Sequence, residues 1–315
     1  MWKSPAIREA RMKDEGGRMK KEKSRLHPDN IDRAETGFHP SSFMLHPSTP
    51  KRRFGQNFLV DRGVVDRIIE AVRPRPDETI IEIGPGRGAL TSRLIEKAGR
   101  VVAIEFDRDL VPALRTQFAG STHFKLLEAD ALTTDFCAVI EPSPTARVVA
   151  NLPYNIATAI LQRLIEQRRC LSEMTLMLQS EVVDRITAEA GSSERGFFSV
   201  FVEAYCEAEK LFDVPPRAFR PVPKVLSTVI RLRARPRIAA EVKDEDLLWQ
   251  IVSAGFAQRR KTILNNLRNA PAPIQEFVKK RGGASIVLCE ANIPPLRRAE
   301  TLTLDEWASI CNQLE

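Results

Sequence analysis

Histidine is scarce in this 315-residue chain. Four are present, and His27, His39 and His46 lie within the first 50 residues, which leaves His123 alone for the rest. Hydrolases built on a Ser-His or Cys-His pair are therefore poor fits, as are histidine-rich metal sites, and no metal is expected. Cysteine offers no framework either. Cys137, Cys170, Cys206, Cys289 and Cys311 stand singly, without CxxC or paired spacing. Neither a zinc site nor a disulfide scaffold is expected, and a reducing, cytoplasmic setting is. Long apolar runs are missing as well. Stretches such as 197–202 fall far short of the ~18–20 residues that span a bilayer, so no membrane partner is expected.

What remains is ordinary globular material, 43% hydrophobic and 28% charged. A core can be built, and at roughly 100–200 residues per domain the length suggests two folded domains with extras. The net charge of +7 hints at a polyanionic partner. That charge is unevenly placed. Residues 217–300 hold 17 Lys/Arg against 7 Asp/Glu, a balance of +10, whereas residues 51–216 hold 21 against 24, a balance of −3. An excess gathered in the second half is expected if that half meets the polyanion.

Residues 1–50 carry ten basic and seven acidic residues, five prolines and the Gly16-Gly17 break, and no apolar period persists. They read as a disordered arm. An apolar core of a signal peptide is missing, and seven acids argue against a transit peptide. A non-essential extension is preferred to an RNA-binding arm, with Met44 as a candidate start.

From residue 51 onward the pattern becomes regular. Helices are expected at 64–72, 89–97, 110–118, 157–168 and 182–190. Strands are expected at 79–83, 100–104, 122–127, 147–150, 173–179, 197–206 and 227–233. Alternation of this kind implies a parallel, doubly wound α/β sheet, and the last two strands imply an antiparallel hairpin at its edge. After Arg235 only helices are expected, at 244–256, 259–268, 274–280 and 304–312, the last opened by a Thr303/Glu306 capping box. The division is an α/β domain over 51–235 and a small all-helical domain over 236–315.

Three motifs carry chemistry. Glu82-Ile-Gly84-Pro-Gly86-Arg-Gly88-Ala89 joins a strand to a helix, and such glycines let a ligand approach the backbone. Glu105 closes the next strand, where an acid can accept both hydroxyls of a ribose. Together they point to an adenosine-containing cofactor. The glycines also fit the dinucleotide pattern, so spacing does not decide which one. Asp130, after the third strand, can accept from an exocyclic adenine amine, although strand-end Asp residues often cap helices.

The third motif is Asn151-Leu152-Pro153-Tyr154, at the sheet edge where ligands collect. The adenine N6 lone pair is delocalised and weakly nucleophilic. Acceptors on its two N–H groups favour a more tetrahedral, more reactive nitrogen. The Asn151 side-chain oxygen and the Leu152 carbonyl can serve, and Tyr154 can stack on the base.

With Gly55-Gln-Asn57-Phe-Leu59, Pro216-Arg-Ala-Phe219-Arg-Pro-Val-Pro-Lys224 and Phe256-Ala-Gln-Arg259-Arg260-Lys261, these motifs occur in an order that resembles the ribosomal RNA adenine dimethyltransferase family, most closely its small-subunit branch. The resemblance runs from about Lys51 to the C-terminus. It implies a Rossmann-like methyltransferase sheet that uses S-adenosylmethionine. The acceptors it implies are two neighbouring adenines in a hairpin loop of small-subunit rRNA, within the 30S particle. It further implies that Asn57, Leu59, Gly84, Glu105, Asp130 and Asn151 contact the cofactor, and that Phe219 stacks on the target base opposite Tyr154. Lys51-Arg52-Arg53 and Arg259-Arg260-Lys261 are candidates for phosphate contacts. A monomer is expected. Three alternatives stay open: the related large-subunit enzyme of macrolide resistance, an assembly checkpoint protein with secondary catalysis, and an NAD-dependent oxidoreductase.

Overall fold

The β-branched run Thr79–Ile83 forms β2, buried along its whole length as the third strand of a seven-stranded sheet. The computed structural model describes residues 56–314. The arm 1–50, Lys51, Arg52, Arg53 and Gly55 lie outside the described residues.

In chain order the elements begin with β1 (Phe58–Leu59), α1 (Arg62–Val72) and β2, followed by α2 (Ala89–Ile95), β3 (Arg100–Glu105), α3 (Val111–Gln117) and β4 (Phe124–Glu128). Then come α4 (Phe136–Val139), β5 (Ala146–Asn151), α5 (Ala157–Glu166), β6 (Leu171–Gln179), α6 (Ser180–Ile186) and α7 (Phe197–Tyr205). The sheet closes with β7 (Cys206–Val214) and β9 (Ser227–Ala234), and β8 (Phe219–Arg220) lies between them in sequence. Five helices follow: α8 (Glu245–Gly255), α9 (Ile263–Arg268), α10 (Ala272–Lys280), α11 (Ala284–Glu290) and α12 (Leu304–Leu314).

The sheet order is β4-β3-β2-β5-β6-β9-β7. Its first five strands are parallel, while β9 runs antiparallel to both β6 and β7. Alternate residues feed opposite faces. Ile81, Ile83 and Val148 join the larger core, and Ile80 and Val149 join the smaller one under α1 and α2. The α/β class and the antiparallel edge are as the sequence predicts. The larger core also continues without a break into α8–α12, where Trp249 meets Phe197 and Phe201 edge-on.

Two expectations need correction. Of the segment 197–206, expected as a strand, Phe197–Tyr205 is a helix, and β7 starts at Cys206. A short apolar run reads equally well as a buried strand or a buried helix. Here Ser199 settles the matter: its Oγ accepts from the Gly196 N–H at 2.9 Å and donates to the Arg185 carbonyl at 2.6 Å, which starts a helix. Helical spacing then stacks Phe197 and Phe198 on Phe201 and sets Phe201 edge-on to Tyr205. Strand β7 escaped notice because its sequence, CEAEKLFDV, is mostly solvent-facing, as an edge strand permits. The second correction concerns cysteine. Cys137 and Cys170, 33 residues apart, form a disulfide. Their pairing depends on α4 lying beside the chain that leaves α5, where the Gln167 side chain accepts from the Phe136 N–H at 2.7 Å and donates to the Thr134 carbonyl at 3.0 Å. Sequence spacing carries no trace of that approach.

Candidate active site

Register brings the first four parallel strands to a common edge. Ile83 is level with Ile104 and Ala150, and Glu105 with Glu128. The residues that follow these strand ends surround one cavity of about 280 Å³. Gly84, Glu105, Asp130, Asn151, Leu152 and Tyr154 all line it, and so do Asn57 and Leu59 from the N-terminal segment.

The glycine turn shows why those residues are glycines. Gly84, Gly86 and Gly88 have φ of 69°, 60° and 79°, a left-handed conformation that costs a side-chain-bearing residue free energy. At Gly88 an added Cβ would also lie 2.8 Å from the Phe118 ring.

Glu105 is 6% exposed, and its carboxylate is aimed by the backbone. One oxygen accepts from the Asp107 N–H at 2.8 Å and the other from the Gly86 N–H at 3.3 Å. Burial raises its pKa, and these backbone donors oppose that rise. Asp130 combines two roles that the sequence leaves as alternatives. It lines the cavity, and one of its oxygens accepts from the Leu132 N–H at 2.9 Å to hold the turn.

Asn151 ends β5, and its Nδ2 donates to the Asn57 carbonyl at 3.1 Å. This bond fixes the amide orientation, because the nitrogen faces Asn57 and the oxygen is the acceptor left over. It also fastens the N-terminal segment over the strand ends. A second tie comes from the Gln56 amide, which donates to the Asp107 carboxylate at 2.8 Å. Leu152 is buried, and its N–H donates to the Met177 carbonyl at 3.3 Å, which holds the main chain at this point. The Tyr154 hydroxyl lies 2.8 Å from Ser227 Oγ at the start of β9, so the ring is held at both ends.

Phe219 is a correction. Its ring is fully buried, packed in the smaller core with residues such as Leu59, Val64 and Val229, and it is not part of the cavity wall. Pairing of β8 with β1, Leu59 opposite Phe219, puts it there. The aromatic between two prolines thus shares the smaller core with Leu59 and lies outside the lining of the cavity.

Sequence reasoning passed over Glu82. This carboxyl lines the cavity at 2% exposure, and its Oε2 has no hydrogen-bond partner among the described residues. Burial pushes its pKa up to about 8, with the Thr91 hydroxyl opposing and the Glu105 carboxylate adding. The signal was available: an acid inside a fully buried strand, TIIEI, needs a reason. Phe106, 57% exposed, also lines the cavity.

The second basic cluster stands apart from these strand ends, in the turn between α8 and α9. Arg259, Arg260 and Lys261 are exposed. Buried Asn266 shapes the turn by donating to the Gly255 carbonyl at 2.5 Å and the Gln258 carbonyl at 3.3 Å. A bridge between Thr262 and Arg298 brings a further exposed arginine alongside. Among the described residues no group of acids, cysteines and histidines is placed to hold a metal, and no helix is long and apolar enough to cross a membrane.

A family model described as ribosomal RNA adenine dimethylase matches residues 48–309. The protein named Ribosomal RNA small subunit methyltransferase A from Hahella chejuensis is 45% identical over 218 residues, 69% of this chain and 80% of its own length. Its namesake from Methylococcus capsulatus is 43% identical over 267 residues, 84% of this chain and 98% of its own length. Among solved structures, the 23S rRNA methyltransferase ErmE is 28% identical with a TM-score of 0.62, covering 82% of this chain and 99% of that one. A dimethyladenosine transferase from Plasmodium falciparum shares the fold with a TM-score of 0.68 at 22% identity, over 80% of this chain and 95% of its own. The chain belongs to the ribosomal RNA adenine dimethylase family.

Proposed function

We propose that this enzyme transfers methyl groups from S-adenosylmethionine to N6 of two adjacent adenines in a hairpin loop near the 3′ end of small-subunit rRNA. The product is N6-dimethyladenosine, and the enzyme acts as a cytoplasmic monomer during small-subunit maturation. The observation that carries this reading is the fixed amide of Asn151, whose oxygen is an acceptor in the same cavity as Glu105, Asp130 and Tyr154.

The donor set fits the cofactor. When bound, S-adenosylmethionine supplies a methyl group activated by its sulfonium sulfur. Glu105 accepts from the ribose hydroxyls, and Asp130 accepts from the adenine amine. Asn57 and Leu59 contact the cofactor from the N-terminal segment, and Gly84 lies against the methionine portion. The Glu82 carboxyl, which lines the cavity and leaves one oxygen without a partner, suits the amino-acid ammonium, the cation of that portion that carries N–H donors. Asn151 borders both the cofactor and the target amine.

The chain's task towards the acceptor is positioning. The Asn151 oxygen and the Leu152 carbonyl accept from the two N6 hydrogens and favour the nucleophilic geometry at nitrogen. Tyr154 holds the base by its ring, and the bond to Ser227 keeps that ring from turning. Holding reactants in line is worth orders of magnitude in rate, and no imidazole is needed. The adenine must leave its stack to reach the cavity. The helical segment 236–315, with Arg259, Arg260 and Lys261, grips RNA through its phosphates, as Lys51, Arg52 and Arg53 do from the N-terminal side.

The test is tritium transfer from labelled S-adenosylmethionine into 30S particles lacking the modification, with 50S particles in parallel. Label in 30S rRNA that digests to N6-dimethyladenosine is expected. Label in 50S particles alone would instead place this chain with ErmE in substrate choice.

A further inference from the structure

The loop 221–226 is an anomaly on the surface. Val222, Val225 and Leu226 are 55%, 41% and 40% exposed, and these three large apolar side chains fall within six residues. Both of its ends are fastened to the active site. On one side Arg220 pairs with Phe58, which lines the cavity. On the other, Ser227 is bonded to Tyr154, which lines it too. The Ser180 N–H holds the Leu226 carbonyl at 3.0 Å, so the backbone is anchored while the side chain faces water. Val60, 45% exposed, is joined to the same region through its N–H, which donates to the Ala218 carbonyl at 2.9 Å. Exposed Arg217, Arg220 and Lys224 flank the apolar group.

Anchored apolar side chains that remain in water carry a cost unless something covers them. Basic flanks select a polyanion, and apolar side chains between them select the unstacked faces of its bases. A duplex or a phosphate-only grip would need the charges without the apolar centre. We propose that loop 221–226 is an apolar wedge that receives the RNA bases next to the target adenine and holds the strand unstacked while the adenine occupies the cavity. Apolar side chains are well suited to this, because they fill the gap left in a stack and offset part of the unstacking cost. The inference rests on the proposed reaction and names a specificity surface for it.

The test compares the parent with the triple variant Val222→Ser, Val225→Ser, Leu226→Ser in single-turnover methylation of unmodified 30S particles. The rate is expected to fall about tenfold, the scale of a partly lost unstacking contribution. Calorimetric affinity for S-adenosylmethionine and the Tm should be unchanged, because the side chains are exposed. The salt dependence of 30S binding should keep its slope, because no phosphate contact is removed. The conservative set Val222→Ile, Val225→Ile, Leu226→Met should keep most of the rate. A serine variant that methylates like the parent would overturn the wedge. So would a loss accompanied by weaker cofactor binding or a lower Tm, which would make the loop a support for Tyr154, and so would a flattened salt slope. If the parent itself transfers no methyl group to 30S, the reaction proposed above fails, and the wedge falls with it.

Discussion

The cavity at the strand ends and the basic turn between α8 and α9 solve opposite problems. In the cavity, polar side chains come from four strand ends and an N-terminal segment, and several are aimed by a second bond: Glu105 by two backbone N–H groups, Asn151 by the Asn57 carbonyl, Tyr154 by Ser227. In the turn, three cations adjacent in sequence are exposed, and the buried group that shapes it, Asn266, bonds main chain only. Methyl transfer requires atoms held to within a fraction of an ångström, so each reacting side chain needs a partner that fixes it. Attraction for a phosphate backbone falls slowly with distance and needs charge more than orientation. The cavity should therefore respond steeply to single substitutions, and the turn should respond gradually and additively.

The sharpest break in that contrast would come from Asn151. Asn151→Ala should lower the single-turnover rate on 30S particles by ~10²-fold or more, the scale of removing one preorganised polar group. It also removes the bond to the Asn57 carbonyl, so cofactor affinity should fall, but by less than the rate does. A parental rate would remove the proposed role of the amide. Glu105→Ala should follow, weakening S-adenosylmethionine binding by about 1.5–3 kcal/mol as a charge-assisted bond is lost. Equal calorimetric affinity in variant and parent would remove the ribose contact.

Glu82 offers a test by pH. Its folded value is about 8 against an ordinary 4.5, so the ligand-free folded state binds more protons than the unfolded chain between these values. Stability should therefore fall as pH rises through that window, by at most ~1.4 kcal/mol per unit. Glu82→Gln should flatten the dependence, as followed by denaturant melts at pH 5, 6.5 and 8. In the parent, cofactor affinity should rise over the same range, since pairing with an ammonium needs the ionised carboxylate. An unchanged pH profile in Glu82→Gln would assign the effect to another group.

For the turn, charge reversal at Arg259, Arg260 and Lys261 should raise the apparent KM for 30S while leaving cofactor affinity intact. Each lost phosphate contact should reduce the log–log salt slope by just under ~1. A preserved slope would move the RNA surface elsewhere. The smallest effect is expected at Tyr154. Tyr154→Phe keeps the stacking face and loses only the tie to Ser227, so a rate within about fivefold of the parent is expected, whereas Tyr154→Ala loses stacking worth ~1–3 kcal/mol. Equal damage in the two would mean that the hydroxyl matters beyond orienting the ring.

How much of this was readable beforehand depended on whether the signal was local. Thr79–Ile83 is β-branched and stops at Gly84, so the strand, the turn and the cofactor edge could be read from one stretch. Asn151-Leu-Pro-Tyr154 carried its chemistry in four adjacent residues. The reading failed where a segment's state depends on what covers it. The run 197–205 is a helix because Ser199 reaches Arg185 and because Trp249 closes over Phe197 and Phe201.

The sequence by itself determined the α/β class, the strand edge that holds the chemistry, the family motifs and the concentration of positive charge in the second half. Each of these rests on periodicity, turn-forming residues or composition, all of which act over a few residues. Only the tertiary structure decided that Phe219 is buried in the smaller core, that Cys137 meets Cys170, that Glu82 holds an unmatched oxygen beside the cavity, and that loop 221–226 faces water. Burial and long-range pairing decide those four, and both arise from contacts between residues far apart in the chain.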